Sequence, residues 1–145
     1  MTAREQQRAA ASYLSRYRTA RAEVDDIQRR IERARSDMMG VRGISYEGGD
    51  MPKAHNVEHD LSDYIARIDG LLREWQDAQN RALDTMREIS EAINAVENDC
   101  ARRVLMLYYV DGYKFEKIAE MIPCAPDTVF RWRRIGLLQV QVNSK

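Results

Sequence analysis

Two runs of apolar residues at alternating spacings of four and three dominate this sequence and leave few folds open to it. The first is Tyr13, Tyr17, Ala20, Val24, Ile27, Ile31, Ala34, Met38 and Val41. The second is Leu61, Ile65, Ile68, Leu72, Trp75, Gln79, Ala82, Met86, Ile89, Ile93 and Val96, in which Gln79 alone is polar. Such spacing draws one apolar stripe down a helix, and the stripe must be buried against another helix. The runs are of similar length, so a chain that folds back on itself pairs them as a long antiparallel helical hairpin. Dimerisation through the same seams is the competing arrangement, and bulky Trp75 with the two seam tyrosines suits it.

The ends of these helices carry their own signals. Thr2 and Glu5 have the spacing of a capping box, in which hydroxyl and carboxylate satisfy each other's backbone donors. The first helix is expected from Ala3 to Met39, with Gly40 and Gly43 ending it. Residues 40–58 show no period and include Gly48 and Gly49, so a loop is expected there. Asn98 and Asp99 suit the start of a new helix. Charge is segregated along the chain although the total is zero. Residues 1–40 carry +3, residues 41–99 carry −7 and residues 100–145 carry +4. The first two segments neutralise each other, while the basic third suits a polyanionic partner.

Within residues 99–145 the long period gives way to three short helical runs, Cys100 to Val110, Tyr113 to Ile122, and Pro126 to about Val140. Asp111-Gly112 and Pro123-Cys124-Ala125 separate them. Phe115, Ile118, Ala119 and Ile122 share a face, and small Ala119 suits a close helix crossing. Pro126 fits the first position of a helix, where a missing N–H costs nothing, and Asp127 suits the positive end of the helix dipole. In the last helix Val129, Trp132, Gly136 and Leu137 form a packing face, with Asp127, Phe130, Arg131 and Arg134 opposite. This is the pattern of a helix-turn-helix whose second helix enters the major groove. The expected fold is therefore all-α, a helical hairpin over 1–98 followed by a helix-turn-helix domain over 99–145, with the recognition helix at 126–138. Arg131 suits guanine, Asp127 a cytosine amine and Phe130 a thymine methyl, and Thr128 joins them as a base reader. Lys114, Lys117, Arg133 and Arg134 are placed for phosphates.

Residues 100–138 resemble region four of bacterial sigma factors. Arg103, Val104, Leu105, Leu107, Tyr109, Gly112, Glu116, Ile118, Ala119, Thr128, Val129 and Leu137 carry the resemblance. The chain as a whole is more loosely similar to phage-encoded late-gene transcription regulators of the RinA and ArpU kind, which place a long helical segment before such a module. The stretches around Ile44-Ser45-Tyr46 and Asp60-Leu61-Ser62-Asp63-Tyr64 contribute to that likeness. The resemblance implies a non-enzymatic, sequence-specific transcription regulator of phage or prophage, with double-stranded DNA and RNA polymerase as partners. Departures from the sigma pattern fall at the turn: Ala125 stands where Ser or Thr is usual, Pro126 where a basic residue is frequent, and Phe130 replaces a polar contact. A lost serine or threonine cap costs about 1 kcal/mol.

Other chemistries find little support in the sequence. His55 and His59 are four apart but lack further ligands at metal spacing. Gly48-Gly49 precedes no Lys-Ser/Thr helix and is not a phosphate loop. Cys100 and Cys124 fit two reduced thiols. No catalytic residue, metal or cofactor is expected. No apolar run approaches the roughly 20 residues of a membrane span, and the N-terminus lacks a secretory signal, so the bacterial cytoplasm is the expected compartment. Two further functions share the helical pattern: a DNA-packaging recognition subunit of the small-terminase kind, and a protein-interaction scaffold with a degenerate helix-turn-helix.

Overall fold

In the computed structural model, which describes residues 1–44, 54–122 and 126–142, every regular element is helical. The order is α1 (Ala3–Leu14), α2 (Arg16–Ile44), α3 (Ala54–Asn94), α4 (Asp99–Leu105), a π-helical turn (Met106–Val110), α5 (Phe115–Met121) and α6 (Pro126–Gln139). Among the described residues no helix is long and apolar enough to cross a membrane.

The capping box forms as its spacing predicts. The Glu5 N–H donates to Thr2 Oγ1 at 3.2 Å, and the Thr2 N–H donates to Glu5 Oε2 at 3.1 Å. The single helix expected from Ala3 to Met39 is instead two, interrupted at Ser15. The Ser15 hydroxyl donates back to the Ala11 carbonyl at 2.7 Å, and the Ser15 N–H donates to the same oxygen at 3.0 Å. The hydroxyl thus shares the carbonyl with the ladder bond, a back-bond that often bends a helix.

At its other end α2 runs through Gly40 and Gly43 to Ile44 rather than stopping at them. A glycine costs a helix about 1 kcal/mol, too little to end one whose preceding turns are buried at Val24, Ile27, Ile31 and Ala34. The expected loop at 40–58 is accordingly narrower, since 40–44 and 54–58 are helical and 45–53 lie outside the described residues.

The chain gathers into two compact units, one of residues 1–21 with 81–145, the other of residues 22–80. The sequence places the division at 98/99. What moves it is burial: Ala10, Tyr13 and Leu14 of α1 and Ile89, Ile93 and Val96 share a core with Ala101, Leu105, Tyr109, Leu137 and Val140. In this first unit Arg16, at the start of α2, pairs with Glu88, near the end of α3, at 3.0 Å. In the second unit Arg35, Met38 and Met39 of α2 lie with Ile65, Ile68 and Asp69 of α3.

Candidate nucleic-acid interface

α5 and α6 are built on a small second core of Val104, Ile118, Ile122 and Val129, with Leu107, Tyr108, Phe115, Ala119 and Trp132 packed against it. α4 starts at the Asn98 cap, whose Oδ1 accepts from the Ala101 N–H at 3.0 Å. The first short run then widens into the π-helical turn, where the Asp111 N–H reaches five residues back to the Met106 carbonyl at 3.0 Å. Single π turns of this kind occur frequently at functional sites. Gly112, at φ +80°, carries the chain out of it into α5, a conformation that needs a residue without a Cβ.

The turn aims two consecutive tyrosines into the unit. Tyr108 stacks on Phe115 with ring centroids 4.2 Å apart and planes 9° from parallel, and Phe115 meets Phe130 at 4.7 Å. Tyr109, 3% exposed, packs edge-on against Tyr108 at 4.8 Å. The aromatic row is gripped by two arginines. Arg18, from the first turn of α2, lies 4.5 Å from the centre of the Tyr108 ring and donates to that residue's hydroxyl at 3.3 Å and carbonyl at 3.2 Å. Arg133 donates to the Tyr109 hydroxyl at 3.0 Å and lies 5.7–5.9 Å from the ring centres of Tyr108, Tyr109 and Phe115. Burial raises the Tyr109 pKa above its ordinary 10.0, against the opposing pull of the Arg133 charge.

α6 is seated by its apolar face. Val129 and Leu137 are 0% and 2% exposed. Gly136 marks the tightest approach, because a Cβ there would lie 2.8 Å from Leu105 Cδ1 and 3.3 Å from Ala101 Cβ. The C-terminal half of α6 is also tied to α1, with Gln6 Nε2 donating to the Leu138 carbonyl at 3.0 Å and Gln7 Nε2 to the Arg134 carbonyl at 3.2 Å. These contacts use main-chain oxygens and leave the outer side chains uncovered.

On the outer side Phe130 is 46% exposed, and Arg131 and Arg134 are exposed. Thr128 is half-buried. Asp127 is in the first turn of α6, and its side chain lies outside the described residues, as do the turn residues Pro123, Cys124 and Ala125. Lys114 is exposed immediately before α5. It lines a recess with Arg18, Tyr108, Gly112, Tyr113 and Phe115. Lys117 is exposed and pairs with Glu120 at 3.4 Å. Arg133, assigned to phosphate from sequence, is half-buried and committed to the aromatic row, and its Nε is enclosed without a partner.

Sequence reasoning missed Arg18 and Tyr108 altogether. Arg18 has no local signal, since its partner lies 90 residues away. Arg133 had one: at about 100° per residue it falls roughly 40° from Val129, on the packing side of α6. Cys100 is exposed with a free thiol, and among the described residues no cluster of His, Cys, Asp and Glu is arranged to hold a metal.

Comparison with protein-family models, with curated proteins and with solved structures finds no match for this chain.

Proposed function

We propose that this protein is a non-enzymatic, sequence-specific regulator of transcription that binds double-stranded DNA by laying α6 in the major groove. The observation that carries the proposal is the division of α6 into two faces. Val129, Gly136 and Leu137 are sunk in the core, while Phe130, Arg131 and Arg134 stay open to solvent in the folded unit. A second helix, α5, packs across α6 through Ile118 and Val129, as in a helix-turn-helix.

In this reading Arg131 takes a guanine edge and Phe130 an apolar base edge such as a thymine methyl. Asp127 and Thr128 complete the reading set from the first turn of α6. Lys114, Lys117 and Arg134 take phosphates and set register. Arg133 holds the aromatic row under α6 and positions the helix from behind. The likeness of residues 100–138 to sigma region four supports promoter DNA as the target and RNA polymerase as a second partner. The looser likeness of the chain to phage late-gene regulators supports a phage or prophage setting.

The test is selection of bound duplexes from a random library, followed by binding curves over a salt series. Arg131→Ala is expected to cost about 1–3 kcal/mol on the selected site and to relax specificity at one position. Lys114→Ala is expected to weaken all sequences alike and to lower the salt slope by about one. Equal binding by all three proteins refutes the assigned roles, and no retention of duplex even at low salt refutes DNA binding.

A further inference from the structure

Two cations from distant parts of the chain border one recess. Arg18, in the first turn of α2, and Lys114, immediately before α5, line a space of about 340 Å³ with Tyr108, Gly112, Tyr113 and Phe115. All six belong to the unit of residues 1–21 with 81–145. Arg18, Lys114 and Tyr113 are exposed, and no described residue lining the recess carries a carboxylate. Like charges gathered around one recess raise its potential and favour an anion there. Lys117, on α5, is by contrast answered by Glu120 at 3.4 Å.

Arg18 is held in place without being used up. Its guanidinium lies 4.5 Å from the centre of the Tyr108 ring, and each terminal nitrogen donates once, to the hydroxyl and the carbonyl of that residue. A guanidinium carries five N–H donors, so three stand outside these bonds. Arg133 differs in being half-buried, with its Nε enclosed. The ring and the two bonds fix the direction of Arg18, and a cation ordered in advance loses little further freedom on meeting an anion.

The recess lies beside the outer face of α6. Phe130, on that face, meets Phe115 at 4.7 Å, Phe115 stacks on Tyr108 at 4.2 Å, and Arg18 is one further contact of 4.5 Å away. Arg18 is therefore no more than these three steps from Phe130. The major groove is about 12 Å wide, so a side chain at that remove from the helix filling it is at the distance of the flanking backbone. In a helix-turn-helix the helix before the reading helix crosses that backbone, and Lys114 stands at its start.

Resting on the DNA-binding proposal, we infer that this recess seats one phosphate of the duplex backbone, held by Arg18 and Lys114 together, with Tyr113 at its rim. Arg18 thereby gives the N-terminal segment a direct part in DNA binding, and the phosphate it holds sets the register in which α6 enters the groove.

Binding curves over a salt series, on the selected duplex and on copies carrying a single neutral methylphosphonate at each backbone position in turn, test it. Arg18→Gln is expected to lower the salt slope by about one. One methylphosphonate position is expected to weaken the wild-type chain severalfold and Arg18→Gln by clearly less. Benzoyl-phenylalanine in place of Tyr113, which leaves Arg18 and its bonds intact, is expected to crosslink at the nucleotide that carries this phosphate. An arginine that only braces Tyr108 weakens binding with the slope and the methylphosphonate pattern of the wild type. That result overturns the inference while DNA binding stands, as does the absence of any crosslink from position 113 on a bound duplex. Wild-type protein that retains no duplex at low salt overturns the DNA-binding proposal itself, and this inference with it.

Discussion

Replacing Arg133 with alanine separates two roles that a basic residue on a recognition helix can play. The side chain donates to the Tyr109 hydroxyl at 3.0 Å, beside a ring that is 3% exposed. A hydrogen bond from a charged group contributes about 1.5–3 kcal/mol, and its loss leaves the buried hydroxyl without this partner. The three ring centres at 5.7–5.9 Å lie near the outer limit of a cation–π contact, so together they add about 1 kcal/mol. Against these, the substitution removes an Nε that is already enclosed without a partner, returning about 1 kcal/mol. The balance is a loss of about 2 kcal/mol. Urea denaturation followed by circular dichroism measures it, and a salt series on a duplex measures the other half. Stability is expected to fall while the salt slope is unchanged. Stability held within about 0.5 kcal/mol, with a slope lower by about one, refutes the reasoning and returns Arg133 to the phosphate contacts.

Three further outcomes test the architecture. Gly136→Ala gains about 1 kcal/mol of helix propensity but sets a Cβ 2.8 Å from Leu105 Cδ1, an overlap that costs about 1–3 kcal/mol, so denaturation should show no gain in stability. In a Leu105→Ala background the same change should become stabilising. The raised pKa of Tyr109 makes its contribution to stability complete below about pH 10 and lost as pH rises from there through the folded-state value, because the unfolded chain gives up this proton first. Tyr109→Phe should therefore flatten part of the alkaline decline in a pH series of unfolding curves. Leu14→Ala, at a side chain 0% exposed in the core shared with α6, should cost about 2–5 kcal/mol and destabilise the unit that carries α6 although it lies in α1. Hydrogen exchange of the α6 amides reads that effect.

Features governed by neighbours in sequence were legible, and those governed by distant partners were not. The Thr2 cap, the Asn98 cap, the first seam at Val24, Ile27, Ile31 and Ala34, and the split of α6 between Val129 and Phe130 follow from local spacing and are present, whereas the second seam is buried at Ile68, Ala82, Ile89, Ile93 and Val96 but open at Ile65 and Leu72. The interruption at Ser15 was missed because an apolar stripe says nothing of a hydroxyl that turns back on the helix ladder. The glycines at 40 and 43 were overweighted as stops, since a packed helix absorbs their small cost. That α1 joins the C-terminal helices was hidden, because Ala10 and Leu14 meet Leu137 and Val140 only through the tertiary fold. The base-reading and phosphate sets were read from angle and charge, and for Arg133, placed among the phosphate contacts, charge was allowed to outweigh an angle on the packing side of α6.

The central claim is that the outer face of α6 meets the edges of bases. A photoreactive benzoyl-phenylalanine at position 130, close in shape to the native residue, tests it at the atom of interest, with Leu83 of α3, 42% exposed, as the control position. Irradiation with a selected duplex is expected to crosslink position 130 to bases within the protected site and position 83 to none. Crosslinks from position 83 alone, or none from position 130 on a duplex that is demonstrably bound, contradict the account.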